Sequence, residues 1–571
     1  MDCKDKILSN DYYDLIADYP LALLDTTDYD LCYVEVAGTY NLIYINSVGI
    51  PRLLDNLYDY QNIPKLYGLM EDTGVAPGFN PNNLIASGIT QVQSAPLNLT
   101  GRGVVLCFID TGIDYTNEVF RDVNGDSRIL AIWDQTIQDG TPPEGYLFGS
   151  EYKREDINRA LQSEDPYSIV PSRDEIGHGS SMAGVAAGSR LGGGYIYQGA
   201  APDADIVVIK LKECKPYLRE FYMVPEDVPA YQENDLMLAV EYANSFARVF
   251  RRPVVICLGV GTNMGDHKGS SFLSRYLNSV AVERSRAVVV CGGNEGNAAH
   301  HYLGVLPART DATVSSLDVE IRVEAQARGF YMELWGTAPD IFNVGIRTPG
   351  GETIAPVRLG LRQSITYGFV YEKSRVTIDG TLVEPASGEQ LIRFRVEDPT
   401  PGIWTFRVNS VGDVHNGEFN MWLPITNFMN AQIYFLEPNP YTTLTEPAMA
   451  TDIISVSAYN AENNSFYTES GRGFNRMGIS CPDFAAPGVN VSTIFGKSTG
   501  TSLAACIAAG AVAQFMQWAV VERNNTNAET KEIKNYFIRG ASRDASLTYP
   551  NREFGYGRLN IAGVFDAMIG V

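Results

Sequence analysis

No stretch of this sequence approaches the ~20 consecutive apolar residues of a bilayer-crossing helix, so no membrane span is expected. Basic charge is also short: 44 Lys and Arg stand against 67 Asp and Glu, a formal net charge of −23. So acidic a chain suits neither a phosphate backbone nor an anionic membrane, and no nucleic-acid partner is expected. The opening residues, Met1 to Ser9, lack the basic-then-apolar layout of a secretory signal peptide, so cytoplasmic synthesis is expected. The eight cysteines include no C-x-x-C pair, and Cys107, Cys257 and Cys291 sit in Val- and Ile-rich runs that suit small buried hydrophobes. Neither a metal site nor a disulfide frame is expected, which fits a reducing compartment.

What is present is a long globular chain. Its 571 residues, 45% apolar with 53 Gly and 29 Pro, suggest ~3–4 domain-sized units rich in turns. Residues 1–80 form a first unit: Tyr33 to Ile45 reads as two short strands turning at Gly38, and Pro51 opens a helix through Leu53, Leu54 and Leu57. Gly74 to Asn83 is turn-rich and expected to be an exposed linker. From Gly103, apolar runs (Val104–Ile109, Ile206–Leu211, Val254–Leu258, Ala287–Cys291) alternate with helical stretches such as Asp235–Val249 and Phe272–Ser285. Runs buried on both faces and separated by helices mean a parallel sheet in an α/β domain. Between about 316 and 437 the pattern changes to strict alternation. Ile392, Phe394 and Val396 interleave with Arg393 and Arg395, and Trp404, Phe406 and Val408 with Thr405 and Arg407, as in antiparallel strands. The α/β rhythm resumes at Ile453, so 316–437 reads as an insertion between two parts of one α/β domain, 81–315 and 438–571.

Four short segments carry the chemistry. Asp110-Thr-Gly-Ile-Asp114 ends an apolar strand, where α/β sheets place their sites. Gly177-His178-Gly179 opens a helix of small residues, and Gly500-Thr-Ser502 opens another. Gly293-Asn294-Glu-Gly follows the fourth apolar run. Each alone has an ordinary explanation, Ser502 as a helix cap and His178 as a surface histidine. Together they supply acyl transfer: Ser502 attacks, His178 moves its proton, Asp110 fixes the imidazole and Asn294 donates to the oxyanion. A rival aspartic-protease reading uses Asp72-Thr73-Gly74 as a second Asp-Thr-Gly, but that copy stands only 38 residues before the first and belongs to no matching lobe.

These segments, in the order Asp, His, Ser, make the chain resemble the subtilisin-like serine proteases. Ala485-Ala-Pro-Gly488-Val adds to the likeness, which covers about 88–315 and 438–571. Within the family the chain is most similar to the clostridial spore-germination (Csp) proteases, through its N-terminal unit, its inserted β module and Ile129-Leu-Ala-Ile-Trp-Asp134.

The resemblance implies a subtilisin-like parallel sheet flanked by helices, a small α+β N-terminal propeptide and an inserted jelly-roll-like domain. It also implies an endopeptidase that cuts off its propeptide near Asn80–Asn83, keeps the piece bound as an inhibitor, and activates another protein, such as a spore-cortex hydrolase, by limited proteolysis. Leu258-Gly259-Val260 and Cys291-Gly292-Gly293 match the family's substrate-binding segments, whose open backbone would take an extended peptide. No cofactor is implied, and the protein would be associated with the spore.

Two departures matter. Val119 replaces a carboxylate that binds structural calcium in many relatives, and the Gly188–Gly194 loop lacks their amide ligands. Asp122, Asn124 and Asp126 are read as a solvated turn and not a substitute calcium site. Ser181 and Met182 stand where relatives carry His and Val, away from the proton path. The alternatives are a pseudoprotease binding through the same fold, which an intact Asp110, His178 and Ser502 oppose, and a structural protein led by its β module.

Overall fold

The computed structural model describes residues 1–19, 29–49, 62–70, 78–191, 197–307, 315–357, 360 and 362–569. The helix expected at Leu53–Leu57 and the second Asp-Thr-Gly at Asp72 lie outside these residues. The centre is an eight-stranded sheet, ordered Phe484–Pro487, Ile454–Tyr459, Arg286–Cys291, Val254–Leu258, Val105–Asp110, Asp205–Lys210, Ile129–Asp134 and Ser150–Lys153. All neighbours run parallel except the last pair. Each continuous apolar run serves two cores. In Val105–Asp110, Leu106 and Phe108 join one cluster while Val105, Cys107 and Ile109 join the other.

One core holds the helices His178–Ala187 and Thr501–Met516, the other holds Glu233–Phe250 and Phe272–Ala281. Among the described residues one helix, Thr501–Val521, is long and apolar enough to cross a membrane, which the sequence reading passed over. Its most apolar 18-residue window is 83% buried inside the fold, and its small residues serve close packing there. A Cβ added to Gly510 would stand 2.3 Å from Ala200 Cβ, in the segment after the histidine helix, and 3.1 Å from Ala186 O within that helix, so nothing larger fits there.

The N-terminal strands Leu31–Val36 and Tyr40–Asn46 turn at Gly38 as expected, and a third strand, Tyr12–Ala17, completes their antiparallel sheet. The sheet lies on the two helices of the second core. Its docking is polar as well: Lys215 Nζ donates to Asp14 Oδ1 at 2.5 Å and to the Tyr12 carbonyl at 2.9 Å, and Tyr13 stacks on Tyr217 at 3.9 Å. The expectation of no disulfide is corrected here. Cys3 and Cys32 are bridged, because the short helix Cys3–Leu8 packs on the strand that carries Cys32. A pairing across 29 residues, made by tertiary contact, leaves no mark in cysteine spacing.

The inserted module is two antiparallel sheets, of six and five strands, closed on one shared core. Phe394 from one sheet meets Phe406 from the other at 5.3 Å, edge to face. Its first strand, His301–Val305, precedes the alternating region, because Leu303 and Val305 are exposed and break the pattern. Arg393 and Arg395 turn to Phe221 of the catalytic part, so the module's polar side is an interface. There Trp422 is stacked between His267 at 4.0 Å and His301 at 4.6 Å.

Candidate active site

Asp110 is the last residue of its strand and fully buried. Its Oδ1 accepts from Thr111 N at 2.8 Å and meets His178 Nδ1 at 2.8 Å. A carboxylate can only accept, so the imidazole carries its proton on Nδ1 and keeps Nε2 basic. His178 is the first residue of its helix, after Gly177 in the left-handed region at φ 86°. Gly179 is required by space: an added Cβ would lie 2.3 Å from Gly112 O, within the Asp-Thr-Gly turn.

The sequence reading missed the residue that fastens these two segments together. Asp174 Oδ1 accepts from Gly177 N and Thr111 Oγ1, both at 2.8 Å, and its Oδ2 accepts from Ser180 N at 2.8 Å and Ser180 Oγ at 2.7 Å. The one signal available was a carboxylate just ahead of a helix start.

Ser502 is the second residue of a helix buried along its whole length, and this helix packs on the histidine helix. Asn294 is held beside it, since its Oδ1 accepts from Thr501 N at 3.1 Å and Thr501 Oγ1 at 2.9 Å. With Oδ1 committed, the amide's donor edge is Nδ2. Gly259 explains the unusual Met182: a Cβ there would stand 2.3 Å from Met182 Sδ and 3.0 Å from Asp110 Oδ2.

The two expected substrate-binding segments differ. After Leu258 and Gly259, Val260 and Gly261 pair antiparallel with Leu69 and Gly68 of the chain's own N-terminal region. Met70 N donates to Gly259 O at 3.1 Å, and on the other edge Leu66 and Tyr67 pair with Gln232 and Tyr231. The second segment is not open to a strand, which corrects the expectation. Gly292 N donates to Val456 O at 2.8 Å, and the Gly292 and Gly293 carbonyls accept from Thr445 N at 3.1 Å and Gly471 N at 2.8 Å. Cys291, buried at the strand end, has its thiol pushed well up by burial. Beside the cleft lies a cavity of about 900 Å³ lined by Met70, Asn294, Glu295, Thr426, Asn430 and Tyr434. The linker expectation also needs correcting, for Asn80 and Asn83 are buried. Asn80 N donates to Ser492 Oγ at 2.6 Å, and Asn83 Nδ2 donates to Asn490 O at 3.1 Å within the helix Asn82–Ala86.

A structural calcium does not fit at the expected place, because a guanidinium fills it. Arg128 donates through Nη2 to Val119 O at 3.1 Å and to Ala187 O, through Nη1 to Ala204 O, and through Nε to Ser189 Oγ at 3.0 Å. Burial lowers its pKa to about 10, which still leaves it charged at neutral pH. Asp122, Asn124 and Asp126 form an exposed turn in which Asp122 Oδ1 accepts from Asn124 N at 2.8 Å and Asp126 N at 3.1 Å.

A parallel sheet with Asp110 at a strand end and His178 and Ser502 at helix starts has the layout of a serine peptidase, a hydrolase of peptide bonds. The sequence profile described as the subtilase family matches residues 101–320 and 407–557. The chain belongs to the subtilase family. It is 27% identical over 259 residues, 42% of its length, to the subtilisin-like protease SBT3.5 of Arabidopsis thaliana, and spans about 30% of that relative. Among solved structures it is similar to the CspB protease of Clostridium perfringens, with 28% identity and a TM-score of 0.75 over 86% of this chain and 100% of that one. The epidermin leader peptide processing protease EpiP of Staphylococcus aureus aligns over 98% of this chain and 99% of its own, at 12% identity and a TM-score of 0.44.

Proposed function

We propose that the chain is a serine endopeptidase that processes itself and then activates another protein by limited proteolysis. Ser502 Oγ attacks the scissile carbonyl while its proton passes to His178 Nε2. The imidazolium is stabilised by Asp110, and Asn294 Nδ2 donates to the oxyanion. The proton then goes to the leaving amine, and water, deprotonated by the same imidazole, releases the acyl group from Ser502.

The observation that carries the reading is the Leu66–Leu69 strand laid antiparallel on Val260–Gly261, the posture of a bound substrate. The bond to be cut then falls between Met70, which bonds Gly259, and Gly78, ahead of the tethered Asn80. The severed N-terminal unit stays docked and holds the enzyme back as a product inhibitor. The likeness to CspB supports a role in spore germination and an association with the spore. Intact-mass measurement under denaturing conditions should find two fragments for the parent chain and one for Ser502→Ala. A serine-directed phosphonate should label only the parent. Identical masses and no labelling in both would defeat the enzyme reading, and separate elution of the fragments on native size exclusion would defeat retention.

A further inference from the structure

Gly68 is the centre of the strand in the cleft, and its surroundings belong to the inserted module. A Cβ added there would stand 2.5 Å from Ile425 Cδ1 and 2.9 Å from Phe428 Cε1. Carbon atoms in contact keep ~3.5–4.0 Å, so any side chain at this place collides with both. Gly68 lies in regular antiparallel pairing with Gly261, not in the left-handed region, so the requirement is for space and not for backbone freedom. The neighbours alternate as a strand should. Leu66 and Met70 join the cluster containing Ile425 and Phe428, while Tyr67 and Leu69 join the opposite core with Val260 and Leu236. Asn427, between the two apolar residues, donates from Nδ2 to Leu69 O at 3.3 Å. The module therefore touches the strand through backbone and side chain alike.

We propose that the inserted module is part of the substrate-binding site, with Ile425 and Phe428 as specificity-determining residues. They roof the position opposite Gly261 and favour glycine there. Substrates of this enzyme are then extended apolar segments with a glycine two residues ahead of the residue that bonds Gly259 O. This rests on the reading that the cleft strand is a substrate in cis. The wall comes from the insertion, so segments without that glycine are disfavoured by the module while the catalytic groups stay intact.

The test uses the full chain and times its self-cleavage by denaturing mass spectrometry. Valine suits a strand, so Gly68→Val keeps local propensity and adds only bulk. It should slow processing by about tenfold or more. Adding Ile425→Ala and Phe428→Ala to Gly68→Val should recover most of that loss. Parental speed in Gly68→Val, or no recovery in the triple variant, overturns the proposal. If the parent chain itself never cuts, self-processing is what fails, and the wall is read instead by melting temperature on the Ser502→Ala chain. There Gly68→Val should lower the melting temperature, and by less in a chain that already carries Ile425→Ala and Phe428→Ala. A series in which Gly68→Val melts like its parent overturns the wall.

Discussion

Asp174 holds the start of the histidine helix through three of its four hydrogen bonds and the Asp-Thr-Gly turn through the fourth. It is a positioning residue. Asp174→Ala should lower kcat with little change in KM, and Asp174→Asn should restore part of the loss. An unchanged kcat in Asp174→Ala would show that the two segments hold themselves. Asn294→Ala should cost about 10²–10³ in turnover, the loss measured for such a donor in subtilisin.

Arg128 works on a different scale of charge, as a fixed cation inside the fold. Arg128→Met leaves the carbonyls of Ala187 and Ala204 without their donor, at about 1–3 kcal/mol for each buried group left unpaired. The melting temperature should fall by several degrees in that variant, while a chelator should barely move it in the parent. A large drop on chelation would mean that metal, and not Arg128, carries the site. The Asp, His and Ser segments were legible because close approach forces glycines around them, as Gly179 against Gly112 shows. Arg128 was not legible, since three of its four acceptors are backbone carbonyls that any residue supplies.

Four strands of the central sheet, Val105–Asp110, Asp205–Lys210, Val254–Leu258 and Arg286–Cys291, could be read almost to their ends, because burial on both faces demands an unbroken apolar run. The cleft strand Leu66–Leu69 could not, as both its partners come from distant segments and its length is four residues. The N-terminal sheet is held by the buried Asp14–Lys215 pair, at 1% and 4% exposure. Asp14→Ala strands the Lys215 ammonium, a change that costs about 3–5 kcal/mol in a buried pair. The processed N-terminal piece should then separate from the rest on native size exclusion, where the parent's piece co-elutes. Co-elution in the variant would place retention in the strand alone.

Across the whole molecule, three buried titratable groups lie in or beside the region where the α/β part meets the module. His267 is lowered to about 3 and His301 to about 4, both chiefly by burial. Glu446, fully buried near Asp266, is raised to about 7, burial first and the neighbouring carboxylate second. A carboxyl raised on folding favours the protonated native state. Its contribution is present below the ordinary value of 4.5 and is lost as pH rises to about 7. His267 and His301, protonated in the unfolded chain below about 6.5, add stability as pH rises over the same interval, so the melting temperature of the parent should rise there and Glu446→Gln should steepen the rise. Equal slopes in the two proteins would assign the pH dependence elsewhere.

The cleft strand has a catalytic-domain partner on each edge, Val260–Gly261 on one side and Tyr231–Gln232 on the other. A strand in the middle of a sheet cannot slide out sideways; it must unzip from an end, breaking both ladders together. If the chain cuts itself as proposed, the strand's departure is a first-order event whose half-time does not depend on how dilute the protein is. Such an enzyme would carry its own clock: activity would appear after a lag set by residence time, and a competing ligand added during that lag would shorten it only by catching a strand already half undone.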